Sequence, residues 1–108
     1  MRRALAARVA MIQTGLWRVV DPRALSHRAW DGELVVYNDV TGHTHHLAPL
    51  GGAVLRALLQ HPDGVEMSAL IPLLAYAIDT SDMQSLVSDL ERTLSELADL
   101  ELVGCVPA

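Results

Sequence analysis

The chain has 108 residues, 51% of them hydrophobic, with eight basic and thirteen acidic side chains and a formal net charge of −5. That length fits one domain with a modest core, and the apolar content excludes a disordered or purely charged segment. No apolar run reaches the ~18 residues of a transmembrane span, the single cysteine excludes an intrachain disulfide and fits a reducing cytoplasm, and the absence of lysine disfavours the clustered positive charge that phosphate neutralisation needs.

Residues 1–15 read as an N-terminal extension ahead of a domain over 16–108. Arg2 and Arg3 before Ala4 to Ile12 faintly follow the secretory-signal pattern, but Arg8 interrupts the apolar run and the cleavage-site pattern is poor. A mis-called start, with Met11 as the true first residue, is the simpler reading; a short amphipathic extension is the other.

Leu16-Trp17-Arg18-Val19-Val20 reads as a strand stopped by Asp21-Pro22, since proline cannot donate to a ladder. Asp31-Gly32 then separates two strand-like runs, Leu25 to Trp30 and Glu33 to Asn38. An Asp-Gly pair in that position predicts a two-residue type I′ hairpin. The alternation puts Leu34 and Val36 on one face and Val35 and Tyr37 on the other. Asn38 to Gly42 makes the next turn, and His43 to Leu47 completes a three-stranded meander.

After Leu47 the period changes. Pro49 suits a first helical turn, and Leu50, Val54, Leu55, Leu58 and Leu59 share one helical face. Gly51 and Gly52 weaken that start, each by up to ~1 kcal/mol relative to alanine, unless close packing on the sheet needs them. His61-Pro62-Asp63-Gly64 ends this helix. A second helix is expected over about 68–78, with Pro72 forcing either a start near Ile71 or a missing bond. A third starts at the capping box of Ser81 and Gln84 and carries an apolar stripe of Met83, Leu86, Val87, Leu90, Leu94 and Leu97. Leu102 to Gly104 reads as a short final strand. The fold class is α+β, a three-stranded antiparallel sheet followed by three helices, an order shared with the winged helix-turn-helix.

Candidate chemistry is sparse. His43, His45 and His46 cluster, and His43 and His45 share a strand face, as two ligands of a zinc or copper site would. A third ligand would have to be His27, Asp39 or Cys105, and no metal-ligand motif spacing is present. There is no nucleophile elbow and no phosphate-binding glycine loop. Asp31 and Asp39 are explained as turn residues. No catalytic residue, metal or cofactor is therefore expected. The long stripe on the third helix beside an open strand edge instead suggests a groove for an extended peptide.

Trp30-Asp31-Gly32-Glu33, Val36-Tyr37-Asn38, Thr41-Gly42, Thr44-His45 and Leu47-x-Pro49, with Trp17 and Pro22 upstream, resemble the small PqqD-like peptide chaperones. The subgroup they are most similar to is the one associated with HPr kinase-related proteins, the HPr-rel-A system. The resemblance covers about Leu16 to Val103 and contains no catalytic motif. It implies a RiPP recognition element, in which the leader segment of a precursor peptide is held as an added strand between the third strand and the third helix and presented to a modifying enzyme. Carried onto this sequence, the edge is His43, Thr44, His45, His46 and Leu47, and the opposing wall is Leu86, Asp89, Leu90, Arg92, Thr93 and Leu97. Arg92 would meet an acidic leader residue. Ala48, before Pro49, departs from the polar cap expected there.

The expectation is a cytoplasmic, non-enzymatic peptide-binding module with two kinds of partner: a leader peptide, and a modifying enzyme or HPr kinase-related protein. Membrane and nucleic acid are not expected partners. The alternatives are a scaffold or dimerisation module, in which Leu16 to Val20 fills a groove by strand exchange, and a winged-helix DNA binder.

Overall fold

The computed structural model describes residues 15–74 and 83–107. Among them are six strands and three α-helices: β1 (Leu16–Val19), β2 (Leu25–Trp30), β3 (Glu33–Asn38), β4 (His43–Leu47), α1 (Pro49–Leu59), β5 (Val65–Glu66), α2 (Met67–Leu74), α3 (Met83–Asp99) and β6 (Val103–Val106). The extension over 1–14 and the cap at Ser81 lie outside the described residues. The fold is α+β, with two antiparallel three-stranded sheets ordered β2-β3-β4 and β5-β1-β6. No helix among the described residues is long and apolar enough to cross a membrane.

The meander forms where the alternation predicts it. Asp31 and Gly32 take φ of 56° and 80°, and positive φ at both central residues is the type I′ hairpin whose twist matches the flanking strands. Leu34, Val36 and Asn38 point inward and are buried, while Tyr37 is exposed on the other face. Asn38 has a role that pattern alone does not reveal. Its Oδ1 accepts the Val40 N–H at 3.0 Å and its carbonyl accepts the Gly42 N–H at 2.8 Å, which closes the β3–β4 turn.

Helix α1 begins at Pro49 and lays Val54, Leu55 and Leu58 on the inner sheet face. Ala48 caps it without a side-chain hydrogen bond. Gly52 sits so near β3 that a Cβ there would stand 3.0 Å from Leu34 Cβ. Carbon atoms are most favourable at about 3.5–4.0 Å, so this approach requires glycine.

Helix α2 starts at Met67, ahead of the Ile71 start that Pro72 suggests, and keeps Pro72 inside it. The bond that Pro72 cannot donate would go to the Ser68 carbonyl, and with Ser68 exposed the loss falls on the outer side of the helix rather than in the core.

The second sheet is the largest departure from expectation. β1 is its central strand, pairing with β5 through Leu16↔Glu66 and with β6 over Leu16↔Val106 to Val19↔Val103. Its Trp17 and Val19 join the core, as do Leu102 and Val103. This sheet supplies cover that a three-stranded meander alone lacks. On α3, which packs chiefly on α1 and β6, Leu86, Leu90, Leu94 and Leu97 are no more than 5% exposed, so these four leave no uncovered apolar rim.

Helix α3 ends in a Schellman arrangement. Leu102 N–H donates to the Leu97 carbonyl at 3.1 Å and Glu101 N–H to the Ala98 carbonyl at 3.0 Å, with Glu101 at φ 64°. These bonds satisfy last-turn carbonyls and turn the chain into β6.

Candidate functional site

β4 is an end strand of its sheet. Among the described residues its one ladder partner is β3, from Leu34↔Leu47 to Asn38↔His43. In an antiparallel pair, alternate residues direct their N–H and C=O away from the partner. The second edge of β4 therefore offers a row of backbone donors and acceptors.

Helix α3 rests chiefly on α1 and β6, and β4 on β3 and the start of α1. Between β4 and α3 lies a groove of about 630 Å³. His46 and Leu47 form its strand side, Ala48 to Gly51 its end, and Asp89, Arg92, Thr93, Glu96, Leu97 and Leu100 its helical wall. Gly51 leaves room at the base, since a Cβ there would lie 3.6 Å from Leu47 Cβ and 3.9 Å from Thr93 Cγ2. Leu47, Thr93 and Leu97 are buried beneath it; Leu100, at 37% exposure, is its solvent-facing apolar contribution.

The structure thus brings His46, Leu47, Asp89, Arg92, Thr93 and Leu97 of the sequence-derived site together. Leu86 and Leu90 do not join them. Both are buried, at 5% and 0% exposure, and Leu90 belongs to the central core cluster. His43, Thr44 and His45 continue the same strand edge outside the groove's lining. Pro49, Leu50, Glu96 and Leu100 were missed by sequence reasoning. Glu96 and Leu100, the residue that follows α3, are one helical turn apart, and a helical wheel centred on Leu97 would have placed both at the margin of its face.

The charged groups are largely committed. Arg92 donates to Asp89 Oδ1 at 3.2 Å, which meets the guanidinium expected to receive an acidic partner. The His46 ring stands with Nε2 2.7 Å from Glu33 Oε2, an exposed contact across the strands. His43 and His45 pack edge to face with centroids 6.1 Å apart, and His45 Nε2 is buried without a hydrogen-bond partner among the described residues.

Two of the three proposed third metal ligands, His27 and Cys105, stand apart from that pair. His27 and His45 both pair with Val36 from opposite sides, so they are two strand spacings, about 10 Å, apart. Cys105 lies in the other sheet opposite Trp17. Among the described residues no three His, Cys, Asp or Glu side chains form a metal-binding group. Burial pushes the Cys105 thiol above its ordinary range.

Compared with protein-family models, with curated proteins and with solved structures, the chain matches none.

Proposed function

We propose that this chain is a non-catalytic peptide chaperone of the PqqD-like kind. It takes an extended segment of a precursor peptide as an added strand on β4 and presents that segment to a partner modifying enzyme. The observation that carries this reading is the groove itself, with the edge of β4 that has no ladder partner among the described residues on one side and α3 on the other. Backbone groups along the edge supply pairing, and the pocket around Leu47, Leu50, Leu97 and Leu100 supplies side-chain selectivity. The ordered resemblance from Trp17 to Pro49 supports the same reading, and the lone cysteine fits a cytoplasmic setting.

The alternatives draw less support. β1 is the middle strand of its own sheet, so strand exchange would first have to release Trp17, 3% exposed, from the core. A DNA-binding role would put α3 near phosphates, yet that helix carries Asp89, Glu91, Glu96 and Asp99 against Arg92 alone. A scaffold for an HPr kinase-related partner shares the resemblance and has no geometric feature of its own in its favour.

The test is a titration of the isotope-labelled chain with synthetic leader segments of precursor peptides encoded beside its gene. Groove binding moves the amide signals of residues 43–47 and 86–97 in a saturable way. Amides there that stay unmoved at millimolar peptide would overturn the reading.

A further inference from the structure

The groove has an unequal charge balance. Its wall carries Asp89 and Glu96 against Arg92, and its strand side carries His46. Arg92 pairs with Asp89 at 3.2 Å, and the His46 ring is turned to Glu33 at 2.7 Å. Glu96 remains: an exposed carboxylate on the groove wall with no ion pair among the described residues. Leu100, four residues on, gives the same wall its exposed apolar side chain.

We infer that the groove selects an extended segment bearing a lysine or arginine two residues from a bulky apolar residue, the cation meeting Glu96 and the apolar side chain resting on Leu50, Leu97 and Leu100. This rests on the peptide-binding reading above and names the class of segment it takes. The spacing follows from geometry. Leu100 follows the last residue of α3 and its N–H donates to the Glu96 carbonyl at 3.1 Å, so the two lie one helical turn apart, about 6 Å along the axis. Alternate residues of a strand point to the same side about 6.6 Å apart. For an added strand that runs alongside α3, an i, i+2 pair therefore matches the Glu96–Leu100 pair on the wall. The sign of the charge reverses the expectation drawn from Arg92, because the wall's two carboxylates, Asp89 and Glu96, outnumber its one guanidinium.

The experiment is selection of a phage-displayed library of random twelve-residue peptides on the whole chain. Binding of the enriched peptides is then measured by anisotropy for the wild type, Glu96→Gln and Glu96→Lys, with amide shifts recorded for one peptide. Both substitutions are at an exposed position, and circular dichroism checks that the variants remain folded. The expected result is enrichment of arginine or lysine two positions from leucine, isoleucine, valine or phenylalanine. Glu96→Gln should weaken binding about threefold to tenfold, and Glu96→Lys should weaken it further. Peptides that move residues 43–47 yet show no cation enrichment, or bind Glu96→Lys as well as wild type, would overturn the charge rule while leaving the groove in place. A library that yields no peptide acting on those amides would overturn both.

Discussion

Gly51 and Gly52 are adjacent in α1, and the structure predicts that alanine acts in opposite directions at the two. A glycine-to-alanine change within a helix is worth up to about 1 kcal/mol in helix propensity. At Gly51 the new methyl meets Leu47 Cβ at 3.6 Å and Thr93 Cγ2 at 3.9 Å, which is ordinary contact, so Gly51→Ala should gain about 0.5–1 kcal/mol. At Gly52 it meets Leu34 Cβ at 3.0 Å. That atom is tied directly to the backbone of the central strand of its sheet and cannot swing aside. Relief requires α1 to move off the sheet by about half an ångström, loosening Val54, Leu55 and Leu58. Overpacking of this kind costs about 1–3 kcal/mol, so after the propensity gain Gly52→Ala should lose about 1 kcal/mol. The two variants then differ by roughly 2 kcal/mol, or on the order of 10 °C in melting temperature for a domain of this size. Urea and thermal unfolding followed by circular dichroism would measure it. Equal stabilisation by both substitutions, or a more stable Gly52→Ala, would refute the close approach of α1 to β3.

Three further outcomes follow from named residues. Leu90→Ala should lose about 2–5 kcal/mol in urea unfolding, because Leu90 is fully buried in the core; a nearly neutral change would return it to the groove wall. Glu101→Gly should raise stability by about 0.5–1 kcal/mol by relieving a left-handed side-chain residue at the end of α3, and a lower melting temperature would contradict that assignment. Burial raises the Cys105 thiol above its ordinary range, so iodoacetamide should alkylate it more slowly at pH 8 in the folded chain than in urea. Because the folded state favours the protonated thiol, its contribution to stability is present below the ordinary thiol range and fades as pH rises through the folded value. Equal alkylation rates in the two states would count against the partly buried thiol.

Much of the local structure was legible in the sequence because the informative signals are short-range. Alternation over Glu33 to Asn38, the Asp31-Gly32 turn and the change of period at Pro49 each specify geometry within a few residues, and the meander and α1 lie where they indicate. The second sheet was not legible as a sheet. Val65–Glu66 is too short to show a period, and nothing local pairs Trp17 with Cys105 far along the chain. That gap propagated to the site. A helical stripe gives the direction of burial but not its depth, so Leu86 and Leu90 read as a groove wall although tertiary packing buries both. Arg92 likewise read as an available cation, because the pairing with Asp89 three residues earlier competes with other partners and is settled only by geometry.

The central claim is strand addition, and hydrogen exchange at β4 measures it most directly. With the whole chain and a saturating library-selected peptide, strand addition predicts slowed exchange at alternate amides of residues 43–47, the set pointing away from β3, with the intervening amides unchanged. Saturable binding that leaves the outward amides exchanging as fast as in the peptide-free chain would contradict it.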